Sequence, residues 1–164
     1  MAYKKKIYVS YDADDILYYN MLQAWLANDT QEFVHHTLNA IESPSQRIAD
    51  SIANSLKEKI NATSCVVVLV SEHTVSLGNQ MKIEIEKAIE LGKPIIVANL
   101  NGKRSIDKDL CPAILQPEMA VHLSLNAKII QKAIDTWPTY YALHKNNGSG
   151  AYFFKPDVYK NLGL

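Results

Sequence analysis

The stretch Ser64–Leu100, SCVVVLVSEHTVSLGNQMKIEIEKAIELGKPIIVANL, decides the fold. Within it, Cys65 to Val70 is a continuous apolar, β-branched run, too short for a typical helix and bounded by polar residues. Such a run reads as a strand buried on both faces, and Pro94 to Leu100 reads the same way. Between them, Asn79 stands where a helix cap is wanted. The apolar positions Met81, Ile85, Ala88 and Ile89 then recur at the three-and-four spacing, and Gly92 and Pro94 mark the end. One strand-helix-strand unit follows, with parallel strands and a right-handed crossover. Stepping about 100° per residue puts Lys82, Glu86, Lys87 and Glu90 on a wet arc, while Glu84 falls between Ala88 and Leu91. A single carboxylate therefore points toward the sheet, near the helix start and beside the loop Ser71 to Gly78.

On the N-terminal side, Lys6 to Tyr11 reads as a first strand, and Asp12-Ala13-Asp14-Asp15 supplies the acids that a helix start favours. The next helix is expected to bury Leu17, Tyr18, Met21, Leu22 and Trp25 on one face and to stop at Asn28-Asp29. Glu32 to Thr37 is a strand candidate. Ser43-Pro44-Ser45-Gln46 makes a capping box with proline at the first helical position, continued by the stripe Ile48, Ile52, Leu56 and Ile60 up to Asn61.

Beyond Leu100, Asn101-Gly102-Lys103-Arg104 is a turn, and Ser105 to Glu118 has prolines but no period, as expected of a surface connection. Met119 to Leu123 reads as a last strand, and Asn126 to Trp137 as a last helix facing inward through Ile129, Ile130, Ala133 and Ile134. Residues 1–137 thus make one α/β domain. Residues 138–164 are an extension too rich in tyrosine and phenylalanine for a disordered end, expected to pack on that domain.

The length, 164 residues, suits one domain with a substantial core. Lysine plus arginine and aspartate plus glutamate both number 17, so no long-range field gathers polyanions. Neither nucleic acid nor a membrane is expected as a partner. Lys4-Lys5-Lys6 is followed only by the short apolar run Ile7 to Val9, far from a signal-peptide core or a membrane span, and a cytoplasmic location is expected. Cys65 inside a strand and Cys111 before Pro112 lack any CxxC or metal-ligand spacing, so both read as reduced and structural, with no metal site.

The alternation of strands and helices predicts a three-layer α/β/α, flavodoxin-like fold with about five parallel strands in the order 2-1-3-4-5. In that order the carboxyl ends of strands one and three, Ser10-Tyr11-Asp12 and Ser71-Glu72-His73-Thr74, line the default crevice, with Glu84 in reach. A flavin phosphate is disfavoured there by the acids of the first loop. A phosphoacceptor would need an aspartate where Val70-Ser71 stands, and no GxGxxG follows strand one for a dinucleotide fold.

Three segments carry a resemblance: Ile7-Tyr8-Val9-Ser10-Tyr11-Asp12, Leu69-Val70-Ser71-Glu72-His73-Thr74, and Glu84-Ile85-Glu86-Lys87-Ala88-Ile89-Glu90-Leu91-Gly92-Lys93. Over roughly residues 4 to 136 the chain resembles the TIR-like family of small flavodoxin-fold proteins, which includes the TIR proteins of Thoeris antiphage defence. The resemblance implies cleavage of NAD, as a substrate and not a resident cofactor, at the nicotinamide-ribose bond. It further implies a cyclic ADP-ribose isomer that activates a separate effector, and a pocket completed by self-association.

The family's catalytic glutamate falls on Glu84 and its strand-one crevice residues on Tyr8, Ser10, Tyr11 and Asp12; His73 borders the same crevice. A carboxylate there can face the oxocarbenium that develops on the ribose, and Tyr11 can stack on a ring of the substrate. For the pyrophosphate, Lys82 and Arg47 are the candidate cations. The family's tryptophan-containing segment ahead of the glutamate is replaced by Gln80-Met81-Lys82-Ile83. That departure supports the alternative, a non-catalytic TIR-like module that signals or scaffolds by self-association. Ser10 also reads as a structural hydroxyl, Asp12, Asp14 and Asp15 as caps and solvated acids, and His35 and His36 as surface residues.

Overall fold

Six strands, each paired in parallel with its neighbours, form one sheet among the residues described by the structure, a computed structural model covering residues 5–26, 31–34 and 46–164. In chain order the elements are β1 (Lys5–Ser10), a single 3-10 turn (Ala13–Asp15), α1 (Ile16–Leu26), β2 (Gln31–Val34), α2 (Gln46–Asn61), β3 (Cys65–Val70), a second 3-10 turn (Glu72–Thr74) and α3 (Asn79–Glu90). They continue with β4 (Ile95–Asn99), β5 (Ala120–Ser124), α4 (Ala127–His144), β6 (Ala151–Phe153) and α5 (Pro156–Asn161). The sheet order is β2-β1-β3-β4-β5-β6. The chain leaves β1 toward one edge to make β2 and returns to its other side to make β3, so the topological switch lies between β1 and β3.

All six residues of β3 and all five of β4 are buried, as their unbroken apolar text requires. Two half-cores result. On one face Val9, Val67 and Leu123 pack with Tyr19, Leu22 and Leu26 of α1 and with Ile129, Ile130, Ala133 and Ile134 of α4. On the other, Tyr8, Val66, Val68, Val70 and Val97 pack with Leu56 and Ile60 of α2 and with Met81, Ile85 and Ala88 of α3. Cys65 lies in the first half-core and Cys111 in the second; both thiols are free, and burial pushes each up to about 12. No group of metal-ligating side chains occurs among the described residues, and none of their helices is long and apolar enough to cross a membrane.

Several elements differ from the sequence reading. The sheet gains a sixth strand, because residues beyond α4 return along the outer side of β5, pairing Ala120 with Ala151 and Val121 with Tyr152. Gly148 lies in that return, where a Cβ would stand 2.7 Å from Met119 Sδ and 2.8 Å from the Tyr152 hydroxyl, so both side-chain ends occupy the space a larger residue would take. The last helix does not end at Trp137 but continues through Pro138 to His144. Proline costs the helix one hydrogen bond and crowds the carbonyl four residues before it, and the packing of Trp137 and Tyr141 on either side of it against the core offsets that cost. Asn126 precedes this helix as its cap, accepting the Lys128 N–H at 2.9 Å.

The helix after β3 is capped by Gly78 without a side-chain bond, and Asn79 is its first residue. In α1 the buried face is Tyr19, Leu22 and Leu26, whereas Leu17 is 77% exposed and Tyr18 and Trp25 are each 41% exposed. The 3-10 turn ahead of α1 sets its phase, and with apolar residues on nearly every side the periodicity selects no face. The expected stop at Asn28-Asp29, the capping box Ser43-Pro44-Ser45, the strand candidate beyond Val34, His35, His36 and the Arg47 side chain lie outside the described residues.

His122 on β5 is fully buried in the half-core below α3, with neither ring nitrogen hydrogen-bonded. Burial pushes its pKa down to about 4 from the ordinary 6.5. The unfolded chain therefore binds this proton first as pH falls, and the stability present above pH 6.5 drains away through the window down to about 4. Urea unfolding at about pH 5 and pH 7 is expected to show a loss of about 2 kcal/mol from this group on acidification, absent in His122→Leu. An equal acid loss in the variant would contradict the assignment.

Candidate active site

Side chains alternate along β1, and because Ile7 and Val9 face α1 and α4, Tyr8 faces the α3 side of the sheet, with Ser10 on the same side. On α3 the stripe Met81, Ile85 and Ala88 seats the helix on β3 and β4, which turns Glu84 toward β1. Glu84 is 2% exposed, and the Tyr8 hydroxyl donates a hydrogen bond to its Oε2. Two neighbouring polar atoms, Glu84 Oε1 and Ser10 Oγ, are buried without a hydrogen-bond partner. The Ser10 hydroxyl is close enough to draw the Glu84 pKa down but does not reach hydrogen-bonding geometry, so both atoms are unclaimed.

Burial dominates the electrostatics of this carboxyl. It raises the Glu84 pKa from 4.5 to about 8, against the smaller lowering effects of Tyr8 and Ser10. At neutral pH the free protein therefore holds Glu84 mostly protonated. Tyr11, one residue past β1, lies half-buried with its ring stacked on Tyr19 at 4.4 Å and 12°. Its phenol is raised first by burial and then, to a smaller extent, by the charge of Glu84.

Beyond the carboxyl ends of β1 and β3 the two loops are laced together by short polar contacts. Ser71 Oγ donates to Asp15 Oδ2 at 2.5 Å, tying the end of β3 to the turn after β1. The same Ser71 caps the turn 72–74: its Oγ accepts the His73 N–H, and its own N–H donates to Thr74 Oγ1, each at 3.1 Å. Asp12 caps the turn 13–15 by accepting the Asp14 N–H at 2.9 Å. His73 is 38% exposed, with Nδ1 3.7 Å from Asp14 and Nε2 3.6 Å from Glu72.

Of the residues singled out in the sequence, Glu84, Tyr8 and Ser10 come together on the α3 side of the sheet, whereas the Tyr11 ring packs against the α1 side. Asp12 and His73 serve the loops: the first holds backbone, the second faces two acids. Lys82 lies on the exposed arc of α3, turned away from the crevice. Nothing in the sequence marks the Ser71–Asp15 bond. It joins residues 56 apart, and nothing local distinguishes Asp15 from the solvated acids beside it, although Asp15 is 2% exposed.

A family model described as Thoeris protein ThsB, TIR-like domain, matches residues 8–105. No curated protein matches the chain. Among solved structures it is similar to FerB, a flavoenzyme NAD(P)H:(acceptor) oxidoreductase from Paracoccus denitrificans, at 17% identity and a TM-score of 0.50, over 85% of this chain and 98% of that one. A conserved protein from Enterococcus faecalis V583 is 11% identical with a TM-score of 0.43, over 98% of each chain. At such identity the likeness to FerB is one of fold.

The Glu84 pKa has a consequence for stability. Because the folded value, about 8, exceeds the ordinary 4.5, the folded chain holds this proton more tightly, and stability present below 4.5 is lost as pH rises through 8. Glu84→Gln keeps the shape and removes the titration. Chemical denaturation should find the variant more stable than the parent by an amount that grows between about pH 5 and pH 8, reaching about 4 kcal/mol. A difference independent of pH would mean that the carboxyl is not held protonated.

Proposed function

The chain belongs to the family of the Thoeris protein ThsB, TIR-like domain, and on that premise we propose that it acts in antiphage defence as an NAD glycohydrolase and ADP-ribosyl cyclase. In this reading Glu84 is the catalytic group, Tyr8 and Ser10 are its partners, and Tyr11 is a surface for a substrate ring. NAD is the substrate, and the product is a cyclic ADP-ribose isomer that diffuses through the cytoplasm to a separate effector. The observation that carries the reading is a buried carboxyl at the sheet's switch point with one oxygen bound by Tyr8 and the other unclaimed.

The chemistry suits such a group. The nicotinamide-ribose bond breaks with its electron pair leaving on neutral nicotinamide, and positive charge develops on the ribose. Water, or a nucleophilic atom of the ADP-ribose itself, closes on the anomeric carbon and gives up a proton. A carboxylate facing that carbon stabilises the cation more than the ground state, which is what accelerates the step. The unclaimed Oε1 can accept from a ribose hydroxyl while Tyr8 holds Oε2 in place. A pyridinium ring brought against Glu84 favours the ionised form, so substrate binding expels the proton that burial retains.

A second reading is supported by two observations: Gln80-Met81-Lys82-Ile83 stands where the family carries a tryptophan, and the carboxyl is shut off from solvent. Under it the chain is a non-catalytic TIR-like module that signals by self-association, through a surface such as the apolar outer face of α1 at Leu17, Tyr18 and Trp25.

Nicotinamide release from NAD separates the two. Catalysis predicts that kcat/KM rises about tenfold per pH unit below about 8 and levels above it, since only ionised Glu84 works. Tyr8→Phe should move that rise to higher pH, and Glu84→Gln should lower kcat by at least about a thousandfold. Full activity in Glu84→Gln would eliminate the mechanism. A silent protein whose concentration-dependent assembly is lost in Leu17→Glu would establish the second reading.

A further inference from the structure

On the opposite face of the sheet from Glu84, and at its far edge, a groove of about 330 Å³ opens between α4, β6 and α5. That volume is within the range of small-molecule sites. Its walls are rings: Trp137 and Tyr140 from α4, Tyr152 and Phe153 from β6, and Phe154 just after it. These rings hold one another in place. Trp137 and Tyr140 stack at 5.5 Å and 20°, and Tyr152 leans on Trp137 at 5.4 Å and 54°. The hydroxyl of Tyr152 is in turn seated in the space left by Gly148.

Despite this order, ring surface is left in the open: Phe153 is 62% exposed and Tyr140 42%. A core gains nothing from large rings set around unfilled space, whereas a flat ligand would bury them at small entropic cost. Lys155 is the one charged side chain lining the groove, and it forms no ion pair among the described residues. No carboxylate lines the groove to oppose an anion or to welcome a cation. Strand addition along β6 is the poorer alternative, because three residues offer few backbone bonds.

We propose that this groove binds a planar aromatic ligand bearing an anionic group, the ring lying against Tyr140, Tyr152 and Phe153, with Trp137 packed behind them, and the charge meeting Lys155. Nucleotides and small aromatic acids share that chemistry. The site is separate from Glu84 and does not depend on NAD cleavage.

Trp137 supplies the readout. With only two tryptophans in the chain, the Trp25→Phe protein leaves one indole N–H signal in a nitrogen-proton NMR spectrum. Titration with adenosine monophosphate or benzoate is expected to move that signal saturably, with adenosine at least about tenfold weaker. Saturation by the first assigns the nucleotide class; saturation by benzoate alone assigns the aromatic acids. Lys155→Ala or Lys155→Gln should abolish the preference for the anion, Tyr140→Ser should weaken every ligand, and Glu84→Gln should bind as the parent does. Three results would overturn the proposal: non-saturating shifts for both anions into the millimolar range, an unchanged preference in both Lys155 variants, or a Trp137 signal that moves with protein concentration alone. The last would make a second copy the occupant.

Discussion

The seating of α3 on the sheet governs the candidate site. Met81, Ile85 and Ala88 lock the helix against Val66, Val68 and Val97, and once that stripe is buried the residue between its turns has only β1 to face. Glu84 is therefore forced into the half-core beside Tyr8 and Ser10 by hydrophobic packing, not drawn there by a cation. Placing an acid in such a position works against folding at neutral pH. The surrounding apolar contacts are what hold it there.

Two buried titratable groups below α3, Glu84 and His122, are answered differently. Glu84 receives a donor from Tyr8 and sits beside a second hydroxyl, so its surroundings can support either protonation state. His122, toward the other side of the same half-core, meets no partner at either nitrogen and is held neutral by burial alone. Groups with alternative hydrogen bonds on hand can change charge during a reaction cycle; those without can only oppose it. The contrast favours Glu84 over His122 as a chemical participant and leaves the histidine as packing with a penalty in acid.

Much of this was legible in the chain. The run Cys65–Val70 maps residue for residue onto β3, and the three-and-four spacing of α3 singled out Glu84 because one charged residue broke an otherwise apolar stripe. Stretches with an ambiguous pattern fold otherwise than they read. In α1, apolar residues surround the helix, so Tyr18 and Trp25 were expected inside and lie partly outside. β6 is three residues long, with no alternation to detect, and exists only because the chain turns back after α4 and pairs with β5. The Ser71–Asp15 bond depends on two loops meeting, which no local pattern encodes. Short elements and long-range polar pairs are decided by tertiary contact; buried strands and amphipathic stripes are decided by residue order.

The two cysteines give the molecule an internal pair of reporters. Cys65 is sealed on the α1 and α4 side of the sheet and Cys111 on the α3 side, each buried and far from ionising at ordinary pH. An alkylating reagent reaches either sulfur only when the layer covering it lifts. Matching modification rates would mark cooperative opening of the whole domain, and a faster Cys111 would mark a separate loosening of the layer that also covers Glu84.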